Sequence, residues 1–315
     1  MNRRFIFEAE PFRADYEFDE FIDASGEYDE AFEFFDPELQ ESGFNEATSE
    51  DVRLYKYHPP TAKRKYGGFT RYGGGRVDAR LKELRQRGRL PISDAEIDML
   101  QRIANVESSG LIQGINSYDS AFMSMGFMQW TIKFMDNQNP DGKLQRLIRR
   151  APTAFRKYGI ELDISRRYII GEYRPIAIKG ARTASALRSL DWAKKFYAAG
   201  LDPEIIIAEV KLAREVIAES KQRIVNKVGR DFLPYYERSA ILRALIQETF
   251  NNRPVYLYLA LKSATTRAKS IAGVDTERFL QLVRAAIMEV YREKEPEDGA
   301  KKARNLIDRT ARLVL

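Results

Sequence analysis

The stretch SDAEIDMLQRIANVESSG, residues 93–110, contains the clearest helical pattern of the chain. Ser93 and Glu96 form a capping box, in which the serine caps the Glu96 amide and the glutamate side chain reaches back. Apolar residues then recur at the spacing of one helix face, and Gly110 is placed to end the helix. The stretch therefore predicts an amphipathic helix that ends near Glu107.

Glu107 is the candidate general acid, because it closes an apolar helix. The helix C-terminus carries partial negative charge, which disfavours another anion there. Partial burial beside Val106 acts in the same direction, so both effects raise the pKa of the carboxyl toward neutral pH. The chain has no cysteine and one histidine, His58. Thiol chemistry is thereby excluded, and we expect no catalytic triad, no metal site and no cofactor.

The segment after Glu107 combines polar side chains with methionines and aromatic residues. The polar groups can bind the hydroxyls and amides of a sugar. The apolar ones can stack on sugar faces or support the loop from beneath. We predict that a substrate contacts Asn116, Tyr118, Ser124, Gln129, Trp130 and Thr131.

Two runs resemble the lysozyme superfamily, specifically the goose-type lysozymes and soluble lytic transglycosylases. Residues 107–110, Glu-Ser-Ser-Gly, are similar to the family's Glu-Ser-x-Gly run at the end of a buried helix. Residues 126–129, Gly-Phe-Met-Gln, are similar to the Gly-Leu-Met-Gln run that starts the next helix about nineteen residues on, and nineteen residues also separate Glu107 from Gly126. The resemblance covers residues 93–135. It implies a mainly α, lysozyme-like fold with a small loop or hairpin beside the cleft, and cleavage of peptidoglycan with Glu107 as general acid.

Asp119 is the expected second catalytic carboxylate. The resemblance places a family aspartate within one residue of it, and Glu107, Asp119 and Thr131 are similar to the cleft trio of phage-type lysozymes. An aspartate in such a turn can equally bond local amides. If Asp119 orients water, the enzyme is an inverting hydrolase; otherwise the substrate's N-acetyl group or 6-hydroxyl completes the reaction, as in a lytic transglycosylase. Both outcomes stay open.

Tyr197 is a further candidate for substrate contact. It lies in Phe-Tyr-Ala-Ala-Gly, residues 196–200, which is similar to the Ala-Tyr-Asn-Ala-Gly run of lytic transglycosylases but lacks the asparagine. A place in the core is the alternative for this tyrosine.

Residues 92–315 are predicted to form the lysozyme-like catalytic domain, mostly helical. A helix is expected from Gly126 to about residue 139, and Asp202 and Asp275 are good caps for later helices. The other predicted helices span residues 152–158, 183–199, 203–228, 234–250, 254–270, 276–293 and 297–314.

The N-terminal part divides into two segments of opposite charge. Residues 1–51 hold 17 acidic and 3 basic residues with many aromatics, a composition typical of a disordered tail or a docking segment for a carrier protein. Residues 52–91 are predicted to be a basic, Gly-rich linker with one short helix. Residues 52–315 hold 49 basic and 29 acidic residues, which suits an anionic polymer such as the cell wall.

The sequence also predicts how the protein reaches its substrate. No apolar run is long enough to span a bilayer, and the N-terminus has no apolar core of a Sec signal peptide. Because peptidoglycan lies outside the cytoplasm, we expect synthesis in the cytoplasm and delivery by a phage-like or contractile injection particle.

Two other functions fit the same sequence. One is a chitosanase-like or chitinase-like glycosidase on the same fold. The other is a nucleic-acid-binding or structural assembly protein with an inactive lysozyme-like body. The basic charge also suits nucleic acid, but the run at Glu107 favours an enzyme, so we expect no nucleic-acid partner.

Overall fold

The computed structural model describes residues 44–47, 54–57, 67–118, 122–132, 142–162, 178–181 and 184–312. This part of the chain is mainly α-helical with one small antiparallel sheet, which confirms the predicted fold class. The predicted acidic tail, residues 1–51, lies outside the described residues except for residues 44–47, which form a paired strand and not a disordered segment.

The sheet has six described strands, each antiparallel to its neighbour and arranged in chain order. The strands are β1 Phe44–Ala47, β2 Leu54–Tyr57, β3 Gly68–Arg76, β4 Leu111–Asn116, β5 Ser124–Met125 and β6 Trp130–Thr131.

Eleven α-helices lie within the described residues, with a 3-10 turn at Ala184–Arg188. The helices are α1 Val77–Gln86, α2 Asp94–Glu107, α3 Lys143–Arg150, α4 Pro152–Arg156, α5 Leu190–Gly200, α6 Pro203–Val228, α7 Leu233–Tyr236, α8 Ala240–Asn252, α9 Pro254–Lys269, α10 Thr276–Lys294 and α11 Gly299–Ala311. Among them, none combines the length and apolar character needed to cross a lipid bilayer.

Helix α2 begins and ends as its sequence predicts. The Glu96 amide donates to the Ser93 hydroxyl oxygen at 3.2 Å, so the serine is the N-cap. The Glu96 side chain does not reach back as expected, because it accepts hydrogen bonds from Arg214 of α6 at 2.5 and 3.0 Å. After Glu107 the chain turns out of the helix through Gly110, whose φ is 79° and whose amide donates to the Ala104 carbonyl.

The linker was predicted for residues 52–91, but residues 68–86 belong to the folded body. The one short helix expected in this segment is α1. Strand β3 pairs with β4 along most of its length, and Val77, Leu81 and Leu84 of α1 are fully buried. The glycines that suggested a flexible segment instead form an irregularity in β3, where the register shifts between Gly73 and Arg76. This shift directs the chain from the strand into α1.

The helix predicted to start at Gly126 does not form over the described residues. Residues 126–129 make a turn between β5 and β6, with φ of 83° at Gly126 and 46° at Gln129. Both values lie in the left-handed region, which a right-handed helix excludes.

The buried apolar side chains form two clusters. The first joins the sheet to α1, most of α2, α5 and the first half of α6. The second joins helices α7 to α11, and Val106 of α2 packs in it. Helix α2 therefore passes from one cluster to the other just before Glu107, and this position places Glu107 next to the C-terminal helices.

Candidate active site

Glu107 is the last residue of α2, and the residue as a whole is partly exposed to solvent. The two serines that follow fix the end of the helix. The buried Ser108 hydroxyl donates to the Leu111 carbonyl at 2.6 Å, which ties the helix end to the start of β4. Ser109 has a φ of 56°, unusual for a residue other than glycine. The Glu-Ser-Ser-Gly run thus makes a tight corner between helix and sheet, with the carboxyl at its edge.

A second carboxyl lies beside Glu107. Glu248, in the last turn but one of α8, is fully buried, and its side chain is hydrogen-bonded to that of Glu107. Helix α8 packs on α2 through the second apolar cluster, where Leu245 and Ile246 lie with Val106. The sequence did not predict Glu248 as part of the site, because the residues around a glutamate in an apolar helix do not indicate which distant residue it contacts.

Burial and mutual contact raise the pKa of both carboxyls. For Glu107 burial is the largest cause; a hydrogen bond from Glu248 and the cations Lys143 and Arg309 act against it without cancelling it. For Glu248 burial comes first, and the charge and hydrogen bond of Glu107 raise its pKa further, to well above the usual range. Two carboxyls in contact do not both ionise readily, so the pair retains a proton at a pH where isolated glutamates have lost theirs.

The sheet brings two of the predicted substrate-binding residues together. The Asn116 side-chain amide donates to the Gln129 amide oxygen and to the Tyr72 hydroxyl, each at 2.7 Å. Its oxygen accepts a hydrogen bond from Thr70. Gly114 leaves the space for this network, because a Cβ there would lie 2.7 Å from both the Gln129 amide and the Tyr72 ring. Thr70 and Tyr72 were not predicted, since they belong to the stretch taken for a linker.

The turn at residues 126–129 is held by a buried carboxyl that the sequence analysis also missed. Glu209 of α6 is fully buried, and the Met128 amide donates to it at 3.3 Å. The Phe127 amide and the Trp130 indole also stabilise the charged form of this carboxyl. Burial raises the pKa of Glu209 well above its usual range. The glutamate thus fixes the backbone that carries Gln129.

Gln113 connects this turn to the run that contains Tyr197. Its side-chain oxygen accepts from the Gly126 amide at 3.0 Å, and its nitrogen donates to the Phe196 carbonyl at 2.9 Å. Gly200 packs directly on the Gln113 amide. The turn at residues 126–129 and the run at residues 196–200 are therefore neighbours in space, joined through one residue of β4.

Three predicted substrate contacts do not fit their positions. Trp130 is only 1% exposed, so its ring supports the turn from beneath, and the Lys143 ammonium lies 5.6 Å from the ring centre. Ser124 is 2% exposed, between Asn116 and Thr131 in the sheet. Tyr197 is 5% exposed and is covered by Arg71, whose guanidinium carbon lies 4.9 Å from the ring centre. For Tyr197 the alternative place in the core is the one observed.

Of the remaining predicted residues, two are partly exposed and one lies outside the described residues. Tyr118 and Thr131 are partly exposed, so both can meet a ligand. Asp119 lies outside the described residues, and its role as the second catalytic carboxylate stays a prediction. In the described part of the chain, no three or more His, Cys, Asp or Glu side chains group as a metal site would require.

Comparison with known proteins identifies no relative of this chain. No protein-family model, no curated protein and no solved structure matches the chain. The resemblance to lysozymes therefore stays a prediction from the two short runs at residues 107–110 and 126–129.

Proposed function

We propose that the protein is a lysozyme-like glycosidase that cleaves peptidoglycan with Glu107 as the general acid. The observation that carries this proposal is the carboxyl of a partly exposed residue at a helix end, whose pKa is raised by burial and which is hydrogen-bonded to a second, buried carboxyl. A general acid must hold its proton near neutral pH and must still reach the substrate. The raised pKa of Glu107 supports the first requirement, and the partial exposure of this residue supports the second.

The proposed reaction starts with proton transfer from Glu107 to the glycosidic oxygen. The bond to the leaving sugar then breaks through an oxocarbenium-like transition state. Asn116 and Tyr72 are partly exposed, and they support this proposal because amide and hydroxyl groups are of the kind that bind N-acetyl and hydroxyl groups of amino sugars.

Glu248 does not supply the second step. Inverting glycosidases hold their two carboxyl groups about 6.5–9.5 Å apart, and retaining enzymes about 5–5.5 Å. Glu248 is in hydrogen-bond contact with Glu107 and is fully buried, so neither water nor a sugar carbon fits between the two. In our proposal the second step belongs to Asp119, as in an inverting hydrolase, or to the substrate itself, as in a lytic transglycosylase.

We also propose the setting in which this activity operates. The excess of basic residues after residue 51 suits contact with the anionic wall, and the acidic, aromatic residues 1–51 suit docking to a carrier. A phage-like or injection particle would then bring the enzyme to peptidoglycan without a Sec signal.

The test is incubation of the full chain with purified peptidoglycan, followed by mass spectrometry of the soluble products. Reducing muropeptides indicate a hydrolase, and anhydro-muropeptides indicate a lytic transglycosylase. Parallel incubations with chitin and chitosan test the related glycosidases. Glu107→Gln is the inactive variant, and Glu277→Gln, an exposed glutamate of α10, is the matched control. Release of products by Glu107→Gln at the wild-type rate contradicts the proposal.

A further inference from the structure

We propose that Glu248 is a positioning residue that shares one proton with Glu107, so that the pair keeps a proton within reach of the substrate at a pH where a lone glutamate has lost its own. This inference rests on the proposed function for its catalytic consequence. The shared proton itself is a property of the folded chain and is testable without any substrate.

The first support is the position of Glu248. It is fully buried on α8, within a helix face that packs against α2. Neither of its carboxylate oxygens accepts a hydrogen bond of normal geometry from a donor in the described part of the chain. Besides Glu107, the polar neighbour that approaches the carboxyl is the Asn251 side chain. An ionised carboxylate in such a place lacks the donors that it needs, whereas a carboxylic acid can donate its proton to Glu107.

The second support is the set of charges around the pair. Lys143 at the start of α3 acts on both carboxyls, and Arg309 of α11 acts on Glu107. The Arg309 guanidinium also donates to the Val106 carbonyl, next to Glu107, at 3.4 Å. These cations stabilise a singly charged pair, but burial prevails and the pKa of each carboxyl stays raised.

The proton balance of the reaction follows from this arrangement. The pair begins with one proton and one negative charge. Glu107 gives the proton to the glycosidic oxygen, so the pair becomes doubly charged while the glycosidic bond breaks. In a lytic transglycosylase the attacking sugar 6-hydroxyl then returns a proton to Glu107. In an inverting hydrolase Asp119 takes the proton of the attacking water, and Glu107 regains a proton from solvent. Lys143 and Arg309 offset the second negative charge during this interval.

The decisive variant is Glu248→Gln, in which an amide of nearly the same shape can still donate to Glu107 but cannot ionise. Glu107 then titrates alone. Relative to the maximum activity of each protein, we expect the alkaline limb of the pH profile of Glu248→Gln to move to lower pH by at least about one pH unit, the coupling expected for interacting sites. A merely structural role for Glu248 lowers activity at every pH and leaves the limb in place.

The pH dependence of unfolding stability is a second test, which needs no substrate. A carboxyl that holds its proton more tightly when folded stabilises the fold below the ordinary glutamate pKa, and this contribution is lost as pH rises through the raised pKa. Urea unfolding from pH 5 to 9 should therefore show a steeper loss of stability in the wild type than in Glu248→Gln. Glu209 also has a raised pKa, but it is present in both proteins and cancels in the difference.

The outcomes separate the two proposals. If the wild type cleaves no polysaccharide but the stability difference appears, the shared proton stands and the proposed function fails. If cleavage depends on Glu107 but Glu248→Gln has wild-type pH profiles of both activity and stability, the shared proton is refuted. If Glu248→Gln does not fold, Glu107→Gln replaces it in the stability test, because it removes the other carboxyl of the pair. A pH dependence of stability equal to that of the wild type in Glu107→Gln also refutes the proposal.

Discussion

The Glu209 carboxylate packs against Gly126 so closely that a Cβ on Gly126 would overlap the carboxylate oxygens. This contact brings the middle of α6 against the turn at residues 126–129, whose Met128 amide donates to the same carboxylate. The glycine of the Gly-Phe-Met-Gln run is thus required by a close approach as well as by its φ of 83°.

Gly126→Ala is expected to destabilise the fold by more than its backbone cost alone. An alanine forced into the left-handed region costs about 1–2 kcal/mol, and displacement of a buried carboxylate adds to this. Gly88→Ala is the control, because Gly88 also has a positive φ, 68°, and a methyl group there would meet nothing within 4 Å. Urea unfolding of both variants measures the difference, and equal losses would show that the Glu209 contact contributes nothing.

Glu107→Gln is expected to abolish cleavage and to leave the protein folded. Loss of a general acid costs about 10²–10⁴ in rate, whereas glutamine has nearly the same shape as glutamic acid. Product release from peptidoglycan gives the rate, and circular dichroism reports the helical content. A variant that unfolds would indicate a structural role for this carboxyl.

Asp119→Asn is expected to lower activity less than Glu107→Gln does. Enzymes of the family that this chain resembles can work with one acid, and the second carboxylate then only assists. Rates of the two variants on the same peptidoglycan sample make the comparison. Equal losses in two folded proteins would instead indicate an obligatory carboxylate pair and an inverting hydrolase.

Removal of residues 1–43 is expected to leave the body folded and active in solution, with loss of docking to a carrier. Removal of residues 1–60 is a different experiment, because it also deletes β1 and β2. Strand β3 would then present an unpaired edge, and exposed edges promote aggregation. Helical circular dichroism, light scattering and the melting temperature compare the two truncations. Unfolding after removal of residues 1–43 would show that the acidic segment belongs to the core.

Local sequence signals were sufficient where a feature depends on neighbouring residues. Ser93 caps α2, and Asp202 and Asp275 cap α6 and α10 through amides 2.8 and 2.7 Å away. A cap joins residues only two or three apart, so the sequence contains everything that it requires. The same holds for the corner at Gly110 and for the position of Glu107 at the end of its helix.

Features that depend on residues far apart in the sequence could be recognised only in the tertiary structure. The Gly-rich stretch near Gly73 is a strand because β4 pairs with it, and Trp130 is buried because Glu209 and Lys143 lie beside it. Above all, Glu248 meets Glu107 only because α8 packs on the end of α2. The sequence marks Glu107 as an acid at a helix end, but burial by a distant helix determines how tightly that acid holds its proton.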